Sequence, residues 1–235
     1  MPYIALAMKK RSKPAVVTLA ILAFGSAVVQ ADTSADAYRA MGISPTDVLT
    51  GTVLTARVLP GADKQVVAVT TYITGSDNKS DAVNVRLDVF NRQGESLARV
   101  WGRSFGTESG GLVGAGELQL IDLDRDGINE IIASFESFLD PLIEQRLAEV
   151  IVNDDGAFRT AWSGALDYDA TRAARDIPSE RRDRFSREID FASTLRTRGI
   201  TLFMNKQMIA VAGERLAQPK VVQETFPLRP SDETR

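Results

Sequence analysis

Gln119-Leu120-Ile121-Asp122-Leu123-Asp124-Arg125-Asp126-Gly127-Ile128-Asn129-Glu130-Ile131-Ile132-Ala133 is the stretch on which the reading of this chain turns. Three aspartates at alternate positions can aim at one centre only if the backbone curls around it, and Gly127 permits the sharp turn this needs. The spacing D-x-D-x-D-G-x-x-E therefore predicts a cation loop. Asp122, Asp124 and Asp126 supply side-chain oxygens, Ile128 supplies its carbonyl, and Glu130 coordinates directly or through water. Six or seven hard oxygens on a compact loop suit Ca2+, because Mg2+ prefers fewer protein ligands and more waters. An EF-hand would need a bidentate Glu at its twelfth position, where this chain has Ala133. Its flanks would also be helical, whereas Leu118-Leu120 and Ile131-Ile132 read as strands.

On either side of this loop, strand patterns dominate. Val83, Val85, Leu87 and Val89 alternate with Asn84, Arg86 and Asp88, the period of a strand with one wet face. Val66 to Ile73, Leu147 to Val152 and Ile200 to Met204 are rich in β-branched and large apolar residues. Asn91-Arg92-Gln93-Gly94, Asn153-Asp154-Asp155-Gly156 and Asn205-Lys206 read as hairpin loops. Helical signals are few: Ala35 to Met41 allows two turns, and Ser44-Pro45-Thr46-Asp47 resembles a cap with proline at the first helical position. From Asp167 to Arg198 the pattern breaks into eight arginines interleaved with acids, read as a solvated helix-and-loop insertion with local ion pairs.

The strands recur as a unit. Gln65-Val-Val-Ala68, Phe90 to Gly94 and Trp101-Gly102 match Glu130-Ile-Ile-Ala133, Val152 to Gly156 and Trp162-Ser-Gly164. A fainter copy begins at Glu188-Ile189. The expected organisation is one β-rich domain over 32–235, with units near 62–104, 117–164 and a degenerate 188–226. The fold class is mainly β, with antiparallel blade-like sheets forming an incomplete propeller or stacked β-meanders, and minor helix. Trp101 and Trp162 hold equivalent places and read as core anchors.

From Phe105-Gly106, through the glycine-rich approach Gly110 to Gly116 and the aspartate loop, to Asn153-Asp-Asp-Gly-Ala-Phe158, the chain resembles the FG-GAP/VCBS type of repeat. These are the calcium-loop blades of integrin alpha-chain propellers and of many bacterial secreted proteins. The resemblance implies a structural Ca2+ between two blade strands, held by Asp122, Asp124, Asp126, the Ile128 carbonyl and Glu130. The earlier unit has only Gly61-Ala-Asp63-Lys64 at this place and lacks the loop, as does the third. Roughly three units fit, against four blades in the smallest usual propellers.

Composition narrows the chemistry. With no His and no Cys, imidazole catalysis, disulfides, thiolate nucleophiles and cysteine zinc sites are excluded. The first 31 residues hold Lys9, Lys10, Arg11 and Lys13 and no acid, which leaves 24 basic against 31 acidic residues beyond them, a net charge of −7. That balance speaks against a nucleic-acid partner. The basic cluster, the apolar run Ala15 to Val29 and the small-x-small site Val29-Gln30-Ala31 read as a cleaved signal peptide over 1–31, too short for a spanning helix. The mature protein is expected to be periplasmic or secreted, with no membrane span after cleavage.

Two functional expectations result. One is an exported non-catalytic module, stapled by one structural Ca2+ loop, that binds a protein or polysaccharide surface. The other is a carboxylate-based periplasmic hydrolase of glycosidase type, with acid and base roles among Glu136, Asp140, Asp167 and Asp169.

Overall fold

The structure is a computed structural model that describes residues 31–61, 63–74, 82–105, 112–140, 143–171 and 182–228. The signal-peptide reading of residues 1–31 falls outside these except for Ala31. The protein is mainly β with minor helix, as expected. Helix α1 (Ala31–Met41) and a single 3-10 turn (Pro45–Asp47) lead into β1 (Val48–Ala56), β2 (Gln65–Thr74), β3 (Ala82–Gln93) and β4 (Ser96–Phe105). These four strands form one antiparallel sheet in chain order. Seven more strands make the second antiparallel sheet: β5 (Leu112–Ile121), β6 (Glu130–Asp140), β7 (Ile143–Asp154), β8 (Ala157–Asp169), β9 (Arg184–Ile189), β10 (Thr201–Val211) and β11 (Glu214–Pro227). Helix α2 (Phe191–Arg196) links β9 to β10, its first turn capped by Asp190, which accepts from the Ser193 amide.

Alternating side chains set the layers. Val67 and Val69 of β2 and Val85, Leu87 and Val89 of β3 share a core with Leu118, Ile131, Ala133, Phe135 and Ile151 of β5 to β7. Their neighbours Val66, Ala68 and Phe90 point the other way, to Ala37, Met41 and Ile43, so α1 covers the outer face of the first sheet. In the second sheet Ile132, Val150, Val152 and Trp162 face away from the first and pack on Leu202 and Met204 of β10 and on Leu228. Strands β6 to β8 and β9 to β11 thus face one another although they belong to one sheet. That requires a bend, and it falls where β8 and β9 pair at only three positions, Asp167–Ser186, Tyr168–Phe185 and Asp169–Arg184. Burial on both faces explains why Val66 to Val69 and Ile131 to Ala133 read as continuous apolar runs rather than alternations.

The meanders β1–β4 and β5–β8 correspond in register. Val89 pairs with Trp101 and Phe90 with Arg99 across a bulge, just as Val150 pairs with Trp162 and Ile151 with Thr160. Each tryptophan meets an aromatic ring of the following layer, Trp101 on Phe158 at 5.0 Å and Trp162 on Phe226 at 6.0 Å.

Three sequence expectations need correction. Asn205-Lys206 lies inside β10, and the hairpin turns instead at Ala212-Gly213, both with positive φ. The 200–211 stretch holds no glycine, so nothing in it favours the paired left-handed geometry of a two-residue turn. The arginine-rich stretch contains β9, whose Arg184 and Arg187 reach across strands to Asp169 and Glu224; its segment 172–181 lies outside the described residues. Gly114 and Gly116, expected in an approach loop, sit within β5 at a register shift.

That shift lets Thr71 of β2 stitch the sheets together: its hydroxyl donates to the Gly114 carbonyl (3.3 Å) and accepts from the Gly116 amide (3.2 Å). Thr71→Val leaves the buried Gly116 amide and the half-buried Gly114 carbonyl without this partner and should cost about 1–3 kcal/mol. Urea unfolding checks it, and a loss below about 0.5 kcal/mol would show that the stitch carries little.

Candidate metal centre

The aspartate loop spans 122–129 between the pair Ile121–Glu130, the last of β5 and the first of β6. Its alternation is a division of labour. Leu123 turns inward and is fully buried beside Leu202 and Leu228, while the flanking aspartates turn to the loop centre. Backbone amides hold those carboxylates. Asp122 accepts from the Asp126 amide (3.1 Å) through one oxygen and from the Gly127 amide (3.0 Å) through the other. Asp124 also accepts from the Asp126 amide, at 3.1 Å. Arg125 and Gly127 take positive φ, 65° and 86°, which closes the curl.

Glu130 approaches from the strand side. It is 1% exposed, and its Oε2 accepts from the Leu123 amide at 2.6 Å. Burial pushes its carboxyl up to about 8, opposed by the Leu123 hydrogen bond and reinforced by the charges of Asp124 and Asp126. One carboxylate oxygen from each of Asp122, Asp124 and Glu130 lies within 4.8 Å of the other two. Oxygens facing each other across a Ca2+ at 2.3–2.6 Å stand roughly 5 Å apart, so this all-oxygen set fits a hard divalent cation. The structure brings these three expected ligands together. Asp126 is exposed, accepts from the Ile128 amide at 2.7 Å and is not among these three.

The first meander provides an internal comparison. Its loop 57–64 has the same length, closed by the pair Ala56–Gln65. Gln65 Oε1 accepts from the Val58 amide at 3.0 Å, over the same seven-residue separation as Glu130 and Leu123, and also from Leu59 at 3.1 Å. Val58, like Leu123, is fully buried. A neutral amide therefore does the backbone work that Glu130 does. The charge at Glu130 is surplus to that work.

Two supports of the loop carry no local sequence signal. The Arg57 carbonyl accepts from both the main-chain and the side-chain nitrogen of Asn129, at 2.7 and 3.0 Å. Gly199, before β10, lies so close to Asp124 that a Cβ there would stand 2.6 Å from the Asp124 Cβ and 2.8 Å from its backbone. The aspartate loop thus sits where three parts of the chain meet.

The carboxylates weighed for hydrolysis lie at the opposite end of β6–β8. Glu136, Asp167 and Asp169 line an open hollow of about 450 Å3 with Arg146, Tyr168 and Arg184; the Asp140 side chain is outside the described set. Asp167 is paired with Arg146 at 2.8 Å. Asp169 is paired with Arg184 at 3.4 Å and also accepts from the Thr171 amide and hydroxyl. The two aspartates stand two residues apart on one strand, each engaged by its own arginine, whereas glycoside hydrolysis needs carboxyls on either side of the scissile bond.

No helix among the described residues is long and apolar enough to cross a membrane. No protein-family model, curated protein or solved structure matches this chain.

Proposed function

We propose that the protein is an exported, non-catalytic module of the FG-GAP/VCBS type, in which one Ca2+ on the 122–130 loop staples the β layers and the module attaches to a protein or polysaccharide surface. The observation that carries the metal reading is the comparison of the two loops. They share length, a buried apolar residue and a side-chain bond from the closing position, yet only the second gathers carboxylates, with its closing residue charged and buried. Bound there, the cation would neutralise carboxylates that otherwise repel one another. Asp122, Asp124 and Glu130 would hold it, and the Arg57 carbonyl and Gly199 would keep the loop in place. The basic, apolar and small-x-small order of residues 9–31 supports export. The open, polar hollow around Arg146 and Arg184 offers a surface for a partner rich in hydrogen-bonding groups.

Thermal unfolding with Ca2+, with Mg2+ and with EGTA tests the metal reading. At the affinity of about 0.1 mM usual for extracellular modules, millimolar calcium contributes about 1.4 kcal/mol, a rise of roughly 3–6 °C for a domain of this size. Asp124→Ala should abolish the rise. A melting temperature indifferent to EGTA would remove the metal from the account.

A further inference from the structure

Strand β11 ends the seven-stranded sheet, and among the described residues no strand pairs with its outer side. Four of the six large apolar side chains left exposed in the described structure fall in or beside β10 and β11: Ile200, Val211, Val221 at 62% and Val222 at 40%. Half of the strand is guarded. Residues 216–219 bulge out opposite Ile209, because Ala210 pairs with Arg215 while Met208 pairs with Lys220, and Pro219 and Pro227 bracket the remainder of the strand. Between the prolines runs Lys220-Val221-Val222-Gln223-Glu224-Thr225-Phe226, seven residues without Pro or Gly. They are held in unbroken register against Leu202 to Met208. The other three edges are less available: β1 and β5 lie against one another, and β4 carries Arg99, Gly102, Arg103 and a register shift.

We propose that this segment is a homodimer interface, in which β11 of two copies pair antiparallel about a two-fold axis at Val222. The segment complements itself about that residue. Lys220, Val222 and Glu224 share one face of β11, since they pair with Met208, Lys206 and Met204. Centring the two-fold on Val222 sets Lys220 of each copy opposite Glu224 of the other, Val221 opposite Gln223, and the two Val222 side chains together on the axis. Opposite charges and β-branched residues facing across an antiparallel pair are the contacts that stabilise a sheet, and like charges directly opposite disfavour it. Glu224 is already oriented by Arg187 at 2.7 Å and Lys206 at 3.8 Å, so it faces Lys220 of the other copy in a held position. Isologous pairing also removes the free edge, which otherwise invites pairing with any extended chain.

Sedimentation velocity of the purified protein across a range of concentrations tests this, with hydrogen exchange read at the same concentrations. The expected result is a monomer–dimer equilibrium, with concentration-dependent protection of amides in 220–226. Lys220→Glu, which sets two carboxylates opposite one another, and Val222→Glu, which places two carboxylates on the axis while facing Lys206 within its own copy, should both abolish the dimer without lowering the melting temperature of the monomer. Both side chains are exposed, and if either variant fails to fold, the wild-type exchange pattern still decides. A wild-type protein that stays monomeric overturns the proposal, even if it captures a synthetic peptide of residues 219–227. So does a dimer that survives both substitutions or is protected elsewhere. The outcome is independent of calcium, so it does not stand or fall with the metal reading.

Discussion

Glu130→Gln is expected to stabilise the metal-free protein at neutral pH and, in the same molecule, to abolish its response to calcium. The glutamine keeps an acceptor for the Leu123 amide, as Gln65 does for Val58 in the first meander. What it removes is a charge in a site 1% exposed to water. With its carboxyl moved from the ordinary 4.5 to about 8, Glu130 gives up a proton more readily in the unfolded chain than in the folded one. The unfolded state therefore binds fewer protons between these values. Metal-free stability should fall as pH rises through that window and level off above about 8. At pH 7 the penalty is on the order of 3 kcal/mol, an upper bound on the gain from the substitution. On the proposed metal reading calcium would take the place of the proton, and its apparent affinity should climb over the same window. Unfolding in EGTA at pH 5, 7 and 8.5, for wild type and variant, reads all of this. A variant less stable than wild type in EGTA at pH 7 would show that the carboxylate is needed by the fold itself.

Asp88→Ala should be among the most damaging single changes, at about 3–5 kcal/mol, because it breaks a buried ion-pair network by removing its centre. Asp88 is fully buried on β3 and receives the guanidinium nitrogens of Arg86 at 2.7 Å and Arg99 at 2.5 Å. Arg86 also donates to the carbonyl of Met41, the last residue of α1, at 3.1 Å. The network thus fastens the capping helix to the outer face of the first sheet. Gly102 belongs to it by absence: a Cβ there would fall on the Asp88 carboxylate and the Arg99 guanidinium. Loss of Asp88 should lower the unfolding midpoint and deprotect the amides of residues 33–41 before those of β2 and β3. Uniform protection across α1 and the sheet, with a loss under about 1 kcal/mol, would mean that apolar contacts alone hold the helix.

Much of the site is legible because it is written in neighbouring residues. Asp122, Asp124 and Glu130 converge on the spacing of their own segment, and Gly127 takes the positive φ expected of it. Asp126, the remaining expected carboxylate, accepts from the Ile128 amide two residues on. Strand β9 is masked by its charges: in Arg184-Phe185-Ser186-Arg187-Glu188-Ile189, Arg187 looks solvated, yet it is only 17% exposed. Its guanidinium lies over the Phe185 ring, 4.6 Å from the centroid, and is engaged by Glu224 and the Ala165 carbonyl. No local pattern marks an arginine for that role. Strand β1 is equally unmarked: Ser44-Pro45-Thr46-Asp47 before it reads as a helix start but forms only a single 3-10 turn, and Gly51 weakens the strand signal of Val48 to Ala56.

The antiparallel β character, the Asn153–Gly156 turn, the matching of Gln65 with Glu130 and the make-up of the aspartate loop all come from the sequence alone. Each is a consequence of side-chain period or of φ preferences that act within a few residues. Tertiary packing set the rest: α1 on the first sheet, the bend between β8 and β9, the Arg57 carbonyl and Gly199 against the loop, and an edge at β11 with which no described strand pairs. Period and turn chemistry say that a face is apolar or that a chain reverses, but one valine-rich face docks on another with little selectivity. Which faces meet is settled only when the whole chain buries them together, and the close approaches at Gly199 and Asn129 exist only after that has happened.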